Sequence, residues 1–373
     1  VKPNLSKLFT PWKDPQSGVV SNILTARAAP LQQVFYFVNS SFSTDNRYLW
    51  FYAAFPPAGS MASGRVLGVA DLAAQETRIC PETAFTTSSP LVDGKTGGVY
   101  WCNERVVCHR GPGPEDAARI VCTLPEALFG NRAVRSTATH LTMSPDGREL
   151  FLDSHAGRSF FGGTVDIETG TYTPWKEFDR YYNHAQFNPV DRDLVLLAQD
   201  HYADVVTGVV TRYEDRLWLL RRNGAFAPLF PRKTLMTHEW WDADGKHLYA
   251  VNNHEQFGGP AVVRIDIDTV TPRIVWPGET WHAKDHDHGS LFVRDRTLKG
   301  FYRGCPSCVQ FRDQDGRETT IVSHNPELHT PGSVYHIDPH PHFSPDGSLI
   351  AFTTTVLGRV DVAVVPVEEL RGG

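Results

Sequence analysis

THLTMSPDGRELFLDS, starting at Thr139, returns in altered form four more times: NHAQFNPVDRDLVLLAQ from Asn183, THEWWDADGKHLYAVNN from Thr237, WHAKDHDHGSLFVRD from Trp281 and PHPHFSPDGSLIAFTTT from Pro339. Two weaker copies precede them, NSSFSTDNRYLWFYAA from Asn39 and SSPLVDGKTGGVYWCN from Ser88. Each copy offers a short apolar strand, a tight turn and a second strand rich in Leu, Val and Phe. The turn runs Ser144 to Gly147, Asp242 to Gly245 and Ser344 to Gly347 in three of them. Proline at the second position of the Ser144 and Ser344 turns presets φ, and glycine at the fourth position of all three suits a type I turn.

Anchored on Asn39, Ser88, His140, His184, His238, His282 and His340, the copies lie 44 to 58 residues apart. A period of about 50 residues built from short strands is that of a β-propeller blade. Further alternating stretches, such as Gly163 to Asp166 and Asp215 to Leu220, complete four strands per blade. The expectation is an all-β, seven-bladed β-propeller with four-stranded antiparallel blades, forming one domain over residues 1–373. The last copy holds two clear strands, Leu349 to Thr355 and Val360 to Val365. The first 38 residues contain two strand-like stretches, Ser21 to Ala29 and Gln32 to Val38. N-terminal strands are therefore expected to pair into the last blade and cover its open edge.

At 41% hydrophobic and 21% charged residues, the chain has ordinary globular composition. A net charge of −6 gives no general attraction for nucleic acid or an anionic membrane, so an acidic ligand has to be drawn by local charge. No apolar run approaches the roughly 18 residues of a spanning helix. A signal peptide is not evident, and a processed secreted form would read the same. Cys80, Cys102, Cys108 and Cys122 have no metal-like spacing and read as buried thiols, with a disulfide as the alternative. Cys305-Pro-Ser-Cys308 differs: C-x-x-C on a tight turn can present two thiolates to a structural zinc, against the alternative of reduced surface cysteines.

Propeller geometry converts sequence register into proximity. The residue before each innermost strand lies at one mouth of the central channel, and the second strand returns to that same face. His140, His184, His238, His282 and His340 hold the first position, and His155, His201 and His254 the returning ends, so eight imidazoles are expected around one opening. A histidine recurring in every blade can instead serve a hydrogen-bonding framework, but the Gly-His and Trp-Asp signatures of that framework are missing. Clustered imidazoles cannot all be protonated, so some must stay neutral as bases or metal ligands. His282 and the cluster His336-Ile-Asp-Pro-His340-Pro-His342 fall in neighbouring blades, with Asp338 available as an oxygen ligand. His286 and His288 read equally well as solvated loop residues.

Such a site suits removal of a proton beside a carboxylate. Taking the C5 proton of a uronic acid builds negative charge that a cation must stabilise; a histidine accepts the proton, and elimination expels the C4 oxygen. Arg216, in EDRLWLL, can supply a guanidinium, and its competing reading is a surface charge on an edge strand.

Over roughly Asn183 to Leu370, THEWWDADGKHLYAV, EDRLWLL, the Trp281-His282 pair and DPHPHFSPDG resemble stretches of the oligogalacturonate lyases. The resemblance implies a seven-bladed propeller that cleaves short pectin fragments by β-elimination with bound manganese, commonly in the cytoplasm. It implies that His238 is the base, Arg216 the essential arginine, and His282 and His340 metal ligands; by their places in the sequence His184 and His201 are expected as further catalytic groups and His342 as a further metal ligand. His140, His155, Tyr202 and His254 are the expected substrate-binding residues. The family's glutamine, three residues before its final His-x-His, falls on Tyr335 in one register and Ile337 in the other.

A second template is the ulvan and rhamnose-glucuronate propeller lyases, which resemble this architecture. They imply His140 with His155 or His184 with His201 as catalytic pairs, Tyr182 or Tyr202 as acid, and a structural zinc near His282, Cys305, Cys308 and His340. A different class, a non-enzymatic TolB-like binding propeller, shares the SPDG turns. The expected partner is an acidic oligo- or polysaccharide, and the expected cofactor a divalent metal ion, manganese if catalytic and zinc if structural.

Overall fold

In a computed structural model, seven antiparallel sheets follow one another along the chain as the blades of a propeller. The structure describes all residues except 1–4, 6, 61–62, 87–88, 131, 205, 298–306, 329–334 and 372–373. Blade one comprises Leu31–Gln33, Tyr48–Ala54, Ser63–Asp71 and Glu76–Thr86. Blade two comprises Leu91–Val92, Val99–Asn103, Val106–Arg110 and Arg119–Thr123. In blade three, Val134–Ser136 and Thr142–Met143 both pair with Glu149–Ala156, followed by Ser159–Asp166 and Tyr172–Phe178. Blade four holds Tyr182–Phe187, Leu194–Gln199, Leu217–Arg221 and Phe226–Pro228, and blade five Thr237–Trp241, His247–Asn252, Ala261–Asp266 and Thr271–Pro277. Blade six holds Ala283–His286, Leu291–Thr297, Ser307–Arg312 and Glu318–Asn325.

Blade seven closes the ring as expected. His342–Phe343, Leu349–Thr354 and Asp361–Pro366 are extended by Val20–Leu24 and then Phe9–Lys13 from the N-terminus. One detail differs from the strand-like reading of Gln32 to Val38. Only Leu31–Gln33 is a strand, it belongs to blade one, and residues 34–39 run onward to the axis. The run Val34 to Phe37 is buried there, which makes an apolar stretch look like a strand without giving it ladder partners.

Seven apolar clusters each straddle one pair of neighbouring blades. Leu349, Ala351 and Val364 of blade seven meet Leu49, Phe51 and Ala53 of blade one, for example, and Phe151 of blade three meets Phe187 and Leu197 of blade four. The others join blades one to two, two to three, four to five, five to six and six to seven. The Ser-Pro-Asp-Gly turns form as expected. Gly147 and Gly347 donate to the carbonyls of Ser144 and Ser344 at 2.8 and 2.9 Å, with φ of 71° and 68° that glycine adopts without steric cost. Among the described residues no helix is long and apolar enough to cross a membrane.

Candidate active site

In blades four and five the inner strand is interrupted where its histidine stands. Strand register shifts between Asn183 and Gln186 in blade four and between Thr237 and Trp240 in blade five. His184, His238 and His340 sit at φ of 53°, 50° and 44°. Non-glycine residues rarely hold positive φ, and a bulge that forces it re-aims one side chain out of the pleat. Here the side chains turn toward the axis.

They converge. Ring centroids lie 4.4 Å apart for His140 and His184, 4.5 Å for His238 and His282, 4.3 Å for His282 and His340, and 4.9 Å for His336 and His340. Tyr36, from the segment that runs to the axis, fills the middle: it stacks on His140 at 4.5 Å and approaches His340 at 4.9 Å and His282 at 5.5 Å. His140, His184, His201, His238, His336, His340 and Arg216 line one cleft of about 590 Å³, together with Tyr36, Tyr181, Tyr213, Trp281 and Arg65.

Two aspartates anchor the ring from behind. Asp153 accepts the Thr139 N–H at 2.7 Å and bonds its hydroxyl, whose oxygen in turn accepts the His184 N–H at 2.7 Å. Asp295, at the matching repeat position, accepts the His282 N–H at 2.8 Å and the His340 N–H at 3.1 Å. Burial raises both carboxyls, Asp153 to about 6 and Asp295 to about 8, against the hydrogen bonds that favour their ionised forms. Asp295 also faces His282 Nδ1 at 3.0 Å, so one hydrogen bond joins the buried carboxyl to that ring nitrogen and fixes the ring's orientation.

Burial is the main cause that keeps four of the imidazoles neutral. His140, His238 and His340 are held well below the ordinary histidine range, and His282 down to about 3. Arg216 is buried between two acids, with Nε 3.3 Å from Glu239 Oε2 and Nη1 3.3 Å from Asp200 Oδ1. Burial works to raise both carboxyls, but the guanidinium overrides it and holds each near 2. Nη2 of Arg216 donates to His184 Nδ1 at 3.1 Å, which places the His184 proton on Nε2. Arg216 is therefore not an edge-strand surface charge.

His282, Asp338 and His340 bring one donor atom each within 4.8 Å of one another. His340 Nε2 and Asp338 Oδ2 are buried without a hydrogen-bond partner, and His336 Nε2 lies 2.9 Å from Asp338 Oδ2. Buried unsatisfied nitrogen and oxygen donors of this kind fit a divalent cation. A second acidic group, Asp242, Asp244 and His247, is already compensated by Arg264, at 2.7 and 3.0 Å from the two aspartates.

Four expected residues fall elsewhere. His342 has both ring nitrogens engaged, Nδ1 with the His340 carbonyl at 2.9 Å and Nε2 accepting the Ser41 N–H at 3.1 Å, so no lone pair remains for a metal. His254 is exposed on the loop after His247–Asn252, outside the cleft. His155 Nε2 and the Tyr202 hydroxyl both bond the Gly157 carbonyl, at 2.9 and 3.1 Å, and neither residue lines the cleft. Tyr182, read as an alternative acid, is buried with its hydroxyl accepting from Gln199. His201 stands exposed at the rim against Tyr213. Cys305 and the anchor Ser88 lie outside the described residues. Cys308 is a buried strand residue whose thiol burial pushes up, and it joins no ligand group among the described residues. No disulfide joins any two of the five described cysteines, Cys80, Cys102, Cys108, Cys122 and Cys308. His288 is exposed and bonds Asp242 at 2.9 Å.

Sequence reading missed Tyr36, Arg65, Asp200 and Glu239. Glu239 adjoins His238 and had a signal of position; Tyr36 and Arg65 lie outside the repeated motif and had none.

No family model matches the chain. A solved oligogalacturonate lyase from Vibrio parahaemolyticus superimposes with a TM-score of 0.75 at 16% identity, covering 96% of each chain. In fold, the chain resembles oligogalacturonate lyases. A second solved structure, an oligogalacturonate lyase in complex with manganese, gives 0.73 at 18% identity, again over 96% of both chains. In sequence, an oligogalacturonide lyase of Pectobacterium atrosepticum is 25% identical over 212 residues, 52% of this chain and 52% of its own. The match thus spans about half the length of that curated relative.

Proposed function

We propose that this propeller is a lyase for uronic-acid-containing oligosaccharides, acting by β-elimination in the histidine-lined cleft and most similar in activity to the oligogalacturonate lyases. The observation that carries this reading is the convergence of His184, His238, His282 and His340, from four blades, with Arg216 in one cleft. A protein-docking face would be built on exposed apolar and arginine anchors. The likeness to a manganese-bound oligogalacturonate lyase supports the same direction.

Charge explains why a cation is needed. With neutral imidazoles, Arg216, Glu239 and Asp200 together carry one net negative charge, so the wall around His238 does not by itself welcome a carboxylate. His282, Asp338 and His340 would hold a divalent ion, manganese by the likeness above. When bound, it would neutralise the uronate carboxylate and stabilise the negative charge that proton removal builds. His238 is the base: burial keeps its imidazole neutral, so a nitrogen lone pair is available to take the C5 proton. The proton moves to His238, the C5 electron pair forms the C4–C5 double bond, and the C4 oxygen leaves with its electrons. Arg216 fixes His184 through the 3.1 Å bond and presents N–H donors at the cleft wall to the developing charge. Tyr181, Tyr213 and Trp281 supply ring faces against which a sugar packs. His140 and His201 complete the lining.

The test follows ultraviolet absorbance of the unsaturated uronate on incubation with oligogalacturonate, ulvan and glucuronate-bearing gums, before and after chelation and re-addition of manganese or zinc. A rise on oligogalacturonate that chelation abolishes is expected. Removing a positioned base costs about 10²- to 10⁴-fold in rate, so His238→Ala should fold and lose most turnover. Silence on every uronate would end the lyase reading, and a well-folded His238→Ala protein of normal rate would remove His238 from it.

A further inference from the structure

Thr139 joins three blades through its own polar atoms. Its carbonyl accepts the N–H of Ser89, just before the first strand of blade two, at 2.8 Å. Its N–H is accepted by Asp153 of blade three at 2.7 Å, and its hydroxyl donates to the second oxygen of the same carboxyl. The hydroxyl oxygen in turn accepts the N–H of His184, in blade four, at 2.7 Å. A backbone N–H can only donate, so the hydroxyl proton is left for Asp153, and one directed chain runs from His184 through Thr139 to the carboxyl. Asp153 is 1% exposed, so water does not compete for it.

His184 needs such a hold. The ladder of blade four passes from Asn183 with Ala198 to Gln186 with Leu196, so His184 takes no place in it. Its φ of 53° lies where a non-glycine residue stays only if the surroundings over-determine it. Arg216 fixes the ring, at Nδ1, whereas Thr139 fixes the main chain from the neighbouring blade. The device recurs. Asp295, at the matching repeat position in blade six, accepts the N–H of His340, where φ is 44°. In both cases a buried carboxyl in the second strand of one blade holds the ring histidine that comes next in the chain from the following blade.

We propose that Thr139 and Asp153 are positioning residues of the elimination, setting where the His184 imidazole stands beside Arg216 by holding its main chain across the blade boundary. This rests on the lyase reading above and adds to it two residues that act through His184. A group displaced by about 1 Å costs about a hundredfold in rate, so losing the hold falls on the chemical step.

Turnover of oligogalacturonate and hydrogen exchange of the His184 amide, measured on the same intact proteins, test it. Thr139→Val keeps the branched shape and removes the hydroxyl, which leaves the His184 N–H without its acceptor. It should lower kcat by about ten- to hundredfold with KM little changed, and speed exchange at His184 by about tenfold or more. Thr139→Ser keeps the hydroxyl and should restore most of both. Asp153→Asn, whose amide nitrogen cannot accept the hydroxyl proton, should fall between, and it serves if Thr139→Val fails to fold. Equal losses in Thr139→Val and Thr139→Ser, slower turnover with unchanged exchange at His184, or wild-type turnover and exchange in a folded Thr139→Val protein would each overturn the proposal. A wild type that makes no ultraviolet product, with exchange at His184 that still follows the Thr139 hydroxyl, would sustain the hold on His184 and overturn the lyase reading instead.

Discussion

Glu239 is buried and yet ionised, and that state belongs to the Arg216 beside it. Its carboxyl sits near 2 in the fold against an ordinary 4.5, a lowered value. The stability it contributes is fully present above the ordinary value and is lost as pH falls from 4.5 toward 2. Glu239→Gln should therefore be less stable at neutral pH, by about 3–5 kcal/mol for breaking a buried pair. The gap should narrow on acidification below the ordinary carboxylate value, because only wild type has that carboxylate to lose. Urea midpoints measured from neutral to acid pH check this, and a gap of constant size would contradict it. The ring histidines were legible because each stands at one place in its repeat. The Glu239–Arg216 pair was not, since two residues 23 apart, one inside a strand and the other just before the strand Leu217–Arg221, carry no spacing signal. Tyr36 and Arg65 were hidden for a related reason: the repeat that organises the ring does not include them.

At the scale of elements, the Ser-Pro-Asp-Gly turns and the strands flanking them were readable from alternation and turn chemistry. Leu349–Thr354 and Asp361–Pro366 lie within a residue of their expected bounds. Returning ends were less reliable. A strand end can point its histidine into the cleft, as with the rim residue His201, or into a loop bond, as with His155 and Gly157, and the intervening loop decides which. The closure was readable as a need of the last blade for partners. The register, Asn22 with Val364 and Ile23 with Ala363, was not. Ile23 is fully buried among Val293, Val309, Ile350 and Phe352. Ile23→Ala should cost about 2–5 kcal/mol in urea unfolding, and a loss within error of zero would show that the closing strand is not held by this core.

The whole molecule makes one cleft from many distant segments. Apolar clusters between every pair of neighbouring blades fix the blades around the axis, and the inner strands and the residues just before them then deliver imidazoles from blades three to seven to one mouth. Because a cation would bind the folded ring and not the scattered ligands of the unfolded chain, manganese at about 100 times its Kd should raise stability by about 2.7 kcal/mol. His340→Ala should lose most of that gain in the same unfolding measurement, whereas His342→Ala, which removes a structural hydrogen-bonding residue, should lower stability yet retain the gain. The period of the repeat made the convergence legible; which imidazoles keep a lone pair for a ligand depended on local hydrogen bonds that the period does not encode. Anomalous diffraction from crystals loaded with manganese tests the central claim most directly. The account predicts one strong peak among His282 Nε2, His340 Nε2 and the Asp338 carboxylate, beside His238. A peak at Asp242 and Asp244 alone, or none at all, would contradict it.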